Sequence, residues 1–113
     1  MRAMHALPQI VTDHLSEVRA LCEKYSVKRL TIFGSAVKGT FDPAKSDLDF
    51  VVEFLPETKR SGFADPYFTL LVAMQEVFGR EVDLVERKAI RNPYFVRVLA
   101  LTERALYESA RAA

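Results

Sequence analysis

From Asp47 to Phe54 the side chains alternate, with Leu48, Phe50, Val52 and Phe54 on one face of an extended segment and Asp47, Asp49, Val51 and Glu53 on the other. A period of two predicts a strand with one face in a core and a largely acidic opposite face. Such a strand needs neighbours, and the chain offers two. Val27 to Phe33 is rich in β-branched and aromatic residues and runs into Gly34, as a strand ending in a tight turn would. Glu81 to Val85 alternates again, placing Val82 and Leu84 toward the core and Asp83 on the opposite face.

Helical periods fill the intervals. Between Pro8 and Tyr25, Val11, Leu15, Val18 and Cys22 recur every three or four residues and predict a helix with one buried face. Asp65 as N-cap, Pro66 at the first helical position and Gly79 as C-cap bound a helix burying Leu71, Met74 and Phe78. Asn92 and Pro93 repeat that start, and Tyr94, Val98, Leu101 and Ala105 form the apolar stripe expected of the last helix, with Tyr94 and Phe95 serving the core. Phe41 to Ser46 reads as a loop, and Leu55 to Ala64 as a mobile one.

One domain, residues 1–113, is the expected organisation, since half of the residues are apolar and no repeat or linker divides the chain. Sixteen basic residues against fifteen acidic ones give a net charge of +1, so no bulk field points to nucleic acid or a membrane, and phosphate recognition has to be local. The single cysteine, Cys22, admits no internal disulfide and suits a cytoplasmic protein; no apolar stretch approaches a membrane span. His5 and His14 lack zinc-type spacing with Cys22, and surface histidines with a packed thiol are expected. Glu53, Glu81 and the basic clusters Lys59-Arg60 and Arg87-Lys88 to Arg91 read as solvated surface.

The chemistry concentrates in Gly34-Ser35, followed after eleven residues by Asp47-x-Asp49. Two residues apart on a strand, Asp47 and Asp49 project from one face and can converge on a cation. Desolvated like charges are costly, and Mg2+, which favours carboxylate and phosphate oxygens, relieves that cost. Gly34 leaves room for a phosphate, and Ser35 offers a hydroxyl and opens a segment with free N–H groups. Lys38 and Ser46 could add a cation and a second hydroxyl. Asp83 is placed to complete the acidic cluster and to orient or deprotonate an attacking hydroxyl. Gly34 to Thr40 also half-imitates a P-loop, but the lysine required after the second glycine is missing.

Gly34-Ser35, Ser46-Asp47-Leu48-Asp49 and Val82-Asp83-Leu84-Val85 together resemble the signature of the DNA-polymerase-β-type nucleotidyltransferases, and most closely their minimal nucleotidyltransferase (MNT) group. The resemblance spans nearly the whole chain. It implies an α/β fold in which a small mixed sheet of three strands is packed by about four helices, in the order α-β-α-β-α-β-α. It further implies that Asp47 and Asp49 bind two Mg2+ ions, that Asp83 contacts one of them and activates the acceptor, and that Gly34 and Ser35 hold the triphosphate of ATP. Members often carry arginine where Lys38 stands. Many minimal members are antitoxins that transfer AMP from ATP to a tyrosine of a HEPN-domain ribonuclease toxin, which makes such a toxin the expected partner. Larger relatives that modify aminoglycosides add recognition domains for which 113 residues leave no room, which makes nucleotide transfer to a small molecule such as an aminoglycoside the weaker alternative. A binding module that neutralises its partner by occlusion, its acidic site idle, is the alternative of a different class.

Overall fold

The computed structural model describes residues 6–110 apart from 61, 63 and 64, so His5 lies outside the described residues. Three strands form where the alternating segments fall: β1 (Val27–Phe33), β2 (Leu48–Phe54) and β3 (Val82–Glu86). β2 is central to this trio, antiparallel to β1 and parallel to β3. A parallel pair needs a crossover, and α4 (Pro66–Phe78) supplies it. Before β1 run α1 (Gln9–Asp13) and α2 (Leu15–Lys24), after it the single-turn α3 (Ser35–Lys38), and α5 (Pro93–Thr102) follows β3 beyond a 3-10 turn at Arg87–Ala89. Among the described residues no helix is long and apolar enough to cross a membrane.

The capping signals act as their chemistry requires. The Asp65 carboxylate accepts the Tyr67 N–H, Gly79 closes α4 in the left-handed conformation, and the Asn92 side chain accepts the N–H groups of Tyr94 and Phe95. One face of the sheet, carrying Leu30, Ile32, Leu48, Phe50, Val52, Val82 and Leu84, packs against Val18 and Cys22 of α2 and Leu70 and Met74 of α4. Leu71 is only half-buried; Leu70 takes the core position. Burial pushes the Cys22 thiol up to about 12, so it packs as an apolar side chain. His14 is not a solvated histidine: it separates α1 from α2, stands edge-on to Phe78 and is half-buried.

Two expectations fail at the C-terminal end. The sheet has four strands, in the order β3-β2-β1-β4, because the chain leaves α5 at Glu103 and Arg104–Glu108 forms β4, antiparallel to β1. Ala105 is therefore a strand residue. Of the five residues of β4 only Tyr107 has a strong strand preference, and the unpaired backbone along the edge of β1 offers the ladder that recruits the rest. The buried stripe of α5 is also not the expected one: Leu99 is buried with Phe95 and Val98 partly so, whereas Tyr94 and Leu101 are 74% and 64% exposed. Tyr94 thus leaves the core, while Phe95 stands edge-on to Phe33.

The charged surface is less solvated than expected. Arg60 makes a two-pronged bond to Glu86 at 2.6 and 2.7 Å, bonds Asp65 at 3.2 Å and lies over the Phe54 ring. Glu53 is half-buried and pairs with Arg87, which also binds Glu103; Glu103 in turn accepts the Thr31 hydroxyl. The described part of the 55–64 loop is tied down by Arg60 and by Leu55 and Thr58 on the Ser26 carbonyl; residues 61, 63 and 64 of that loop lie outside the described set.

Arg60 has a pH signature. Its hydrogen bond holds the Glu86 carboxyl below its ordinary value against burial, and at Asp65 burial pushes upward but the Tyr67 N–H and Arg60 outweigh it. Carboxyls depressed in the folded state stabilise it above their unfolded pKa, and that stability is lost as pH falls through the folded pKa. Arg60→Met, which keeps an unbranched apolar side chain but no charge, is expected to cost about 2 kcal/mol at pH 7. Urea denaturation should show that difference shrinking toward acid pH; an equal loss at about pH 3 would assign Arg60 to packing alone.

Candidate active site

The site lies on the face of the sheet opposite the main core, where β1 ends. Asp49 of β2 is flanked by Phe33 of β1 on one side and by Asp83 of β3 on the other. In parallel neighbours this register places the Asp49 and Asp83 side chains on the same face, about one strand spacing of 4.8 Å apart. Asp47 sits one residue ahead of β2, exposed. Val51, expected on the open acidic face, is buried, since the chain from Arg87 onward returns across that part of the sheet.

Gly34 shapes the corner. Its φ of +73° and ψ of −145° belong to a region that is essentially glycine's alone. A Cβ built there would stand 2.3 Å from Asp49 Oδ2, so the backbone is pressed against the carboxylate. The Gly34 carbonyl then accepts the N–H groups of Val37 and Lys38, which turns the chain into α3. The N–H groups that open a helix have no partner within it, and here they belong to Ser35 and Ala36. Gly34 therefore stands against the Asp49 carboxylate, and Ser35 and the first-turn amides of α3 follow it directly in the chain.

Electrostatics tie the acids together. Burial pushes the half-buried Asp49 carboxyl up from its ordinary value, the charges of Asp83 and then Asp47 push it further, and Lys38 draws it down. The structure thus brings Asp83, Asp47 and Lys38 within electrostatic reach of Asp49. A half-buried carboxylate raised by two like charges is the state a divalent cation relieves, and the donors are all oxygens, as Mg2+ prefers. The residues fit that ion. Among the described residues no three His, Cys, Asp or Glu side chains close around one point; Mg2+ is usually held by one or two carboxylates with phosphate and water completing the shell, so no closed cage is needed.

The Ser46 hydroxyl accepts the Asp42 N–H at 2.8 Å, and Ser46 belongs to a compact 42–46 turn. Lys38 is exposed at the end of α3. Two neighbours of the site are not legible in the sequence. Tyr67, in the first turn of α4, donates its hydroxyl to the Leu84 carbonyl at 2.7 Å, and burial, then the charge of Asp83, raises its phenol. Arg80 donates to the carbonyls of Ser46 at 3.0 Å and Pro43 at 2.8 Å. Its position directly after the capping Gly79 is plain from the sequence, but nothing there indicates a reach to a loop 34 residues away.

Comparison with known proteins reaches the same region of the chain. The model of the nucleotidyltransferase domain family matches residues 18–105. A Methanocaldococcus jannaschii protein provisionally named a protein adenylyltransferase is 33% identical over 94 residues, which are 83% of this chain and 88% of that protein. A solved structure provisionally described as a minimal nucleotidyltransferase superposes with a TM-score of 0.71 at 22% identity, covering 88% of this chain and 96% of that one. A chain from a Shewanella oneidensis complex, a tri-AMPylated HEPN toxin with an MNT antitoxin, superposes with a TM-score of 0.60 at 14% identity, covering 88% of this chain and 74% of that one. The structural likenesses establish a shared fold.

Proposed function

The chain belongs to the nucleotidyltransferase domain family, and from that premise we propose that it transfers AMP from ATP, with Mg2+, to a hydroxyl of a partner protein. The observation that carries this reading is the contact of the glycine corner with Asp49, itself in register with Asp83. It puts the glycine corner and two carboxylates on one side of the sheet, which supports a reading of them as phosphate cradle, metal ligand and base. Asp47 and Asp49, with Asp83, would hold two Mg2+ ions; Gly34, Ser35 and Lys38 would face the triphosphate, and Ser46 would serve by shaping the loop before Asp47. Bound Mg2+ supplies neutralisation of the phosphates and of charge that develops at the α-phosphorus. Asp83 takes the proton of the acceptor hydroxyl, whose oxygen bonds to the α-phosphorus as the bond to pyrophosphate breaks.

For the acceptor, the proposal is a tyrosine of a HEPN-domain toxin, with this chain as the antitoxin. Its support is the provisional name of the M. jannaschii relative and the tri-AMPylated HEPN toxin in the complex that shares the fold. The outer face of α5 favours a protein acceptor: Tyr94 and Leu101, seven residues apart and so on one face of the helix, are both exposed, and exposed apolar side chains sharing a face mark contact surfaces. That same face would also serve neutralisation by occlusion, so the experiment has to separate the two. Incubation with labelled ATP, Mg2+ and the HEPN-domain protein should add one or more AMP units to the toxin by intact mass. Neutralisation that persists in the Asp47→Ala, Asp49→Ala double variant, with no mass gain in the wild type, would leave occlusion as the function.

A further inference from the structure

Asp47 lies just outside β2, where the β2–β3 ladder has run out, yet it has to be held still to act with Asp49. The last backbone bond of that ladder runs from the Leu48 N–H to the Glu81 carbonyl at 3.3 Å. One step beyond it, the Ser46 carbonyl receives Arg80 Nη1 at 3.0 Å, and Arg80 Nη2 reaches the Pro43 carbonyl at 2.8 Å. The guanidinium also lies over the Phe41 ring, 5.2 Å from its centroid. Arg80 therefore grips both ends of the 41–46 segment, which is already folded on itself by Ala44 and Ser46 N–H bonds to Asp42. Asp47 is left between two anchored peptide units, one held by a strand and one by a side chain.

We infer that Arg80 is a positioning residue that fixes Asp47 for metal binding, in place of the backbone pairing that ends at Leu48. The inference rests on the reading that Asp47 holds Mg2+. A planar, always charged fork suits the task because its fixed geometry spans two carbonyls at once; a lysine in its place is a compact point charge on a flexible stem and holds neither in a set direction. Partners one step removed from a metal ligand typically change metal affinity by about 10- to 100-fold when removed.

The test is calorimetric titration of a non-hydrolysable ATP analogue with and without Mg2+, on the wild type, Arg80→Lys, Arg80→Met and Asp47→Asn, alongside amide hydrogen exchange over residues 42–48. Arg80→Met should weaken the Mg2+-dependent part of binding by about tenfold or more, leave the Mg2+-independent part unchanged and speed exchange at 46–47; Arg80→Lys should fall between it and the wild type. Should Arg80→Met fail to fold, Arg80→Lys carries the comparison. Equal losses with and without Mg2+ would overturn the inference, as would wild-type Mg2+ dependence in a folded Arg80 variant. An Asp47→Asn variant with wild-type Mg2+ dependence would instead remove the metal-binding reading on which the inference stands.

Discussion

Asp49→Asn is expected to lower AMP transfer by about three orders of magnitude while making the protein more stable in the absence of divalent ions. The rate loss follows from the proposed role of this carboxylate in holding metal at the reacting phosphate, an effect worth several kcal/mol at tenfold per 1.36 kcal/mol. The gain in stability follows from the raised Asp49 pKa, caused by burial and then by Asp83 and Asp47. A carboxyl whose folded pKa lies above its unfolded one costs nothing below the unfolded pKa, and destabilises the fold as pH rises through the folded pKa. Asparagine removes that cost without changing size. Thermal melts in chelator should show the variant above the wild type at pH 7, with the gap closing toward about pH 4, where carboxylates are ordinarily half-protonated. A variant no more stable than the wild type at neutral pH would contradict the like-charge reading of the site.

Gly34→Ala should be the most damaging single-methyl change in the chain. Its backbone conformation alone costs about 1–3 kcal/mol for a residue with a Cβ. The new methyl would also meet Asp49 Oδ2 at 2.3 Å, so either the carboxylate or the β1–α3 corner must move. The expected result is a stability loss of at least about 3 kcal/mol by urea denaturation and loss of Mg2+-dependent nucleotide binding. Gly79→Ala is the matched control. It also has a positive φ, of +61°, but its added Cβ meets nothing within 4 Å, so it should cost only about 1–2 kcal/mol and leave nucleotide binding intact. Equal losses of binding in both would attribute the effect at Gly34 to backbone strain rather than to contact with the carboxylate.

Asp49 and Gly34 are legible in the sequence because their signals are local. The period of two through Leu48 to Phe54 puts Asp49 on the polar face, and the same period through Val82 to Val85 puts Asp83 there. Gly34 stands out as the glycine that ends a strand. The caps of α4 and α5 are equally readable, since a cap is a bond between residues two or three apart. Arg60, Glu53 and Arg87 read as solvated from the sequence because each finds its partner 16 to 34 residues away, except for the Arg60–Asp65 bond.

Periodicity between covalent near-neighbours is enough to specify β1 to β3, the helices α4 and α5 between and after them, and the side of the sheet on which Asp49 and Asp83 project. Long-range packing, in contrast, makes Arg104–Glu108 a fourth strand, because the ladder that recruits it belongs to β1, roughly 75 residues earlier. Packing also selects the face of α5 that turns inward: Phe95, Val98 and Leu99 compete with Tyr94 and Leu101, both sets recur at helical spacing, and contact with Phe33 favours the first. The support of Asp47 by Arg80 belongs to the same class, since a guanidinium on a flexible stem encodes no direction until the end of α4 and the 41–46 loop are brought side by side.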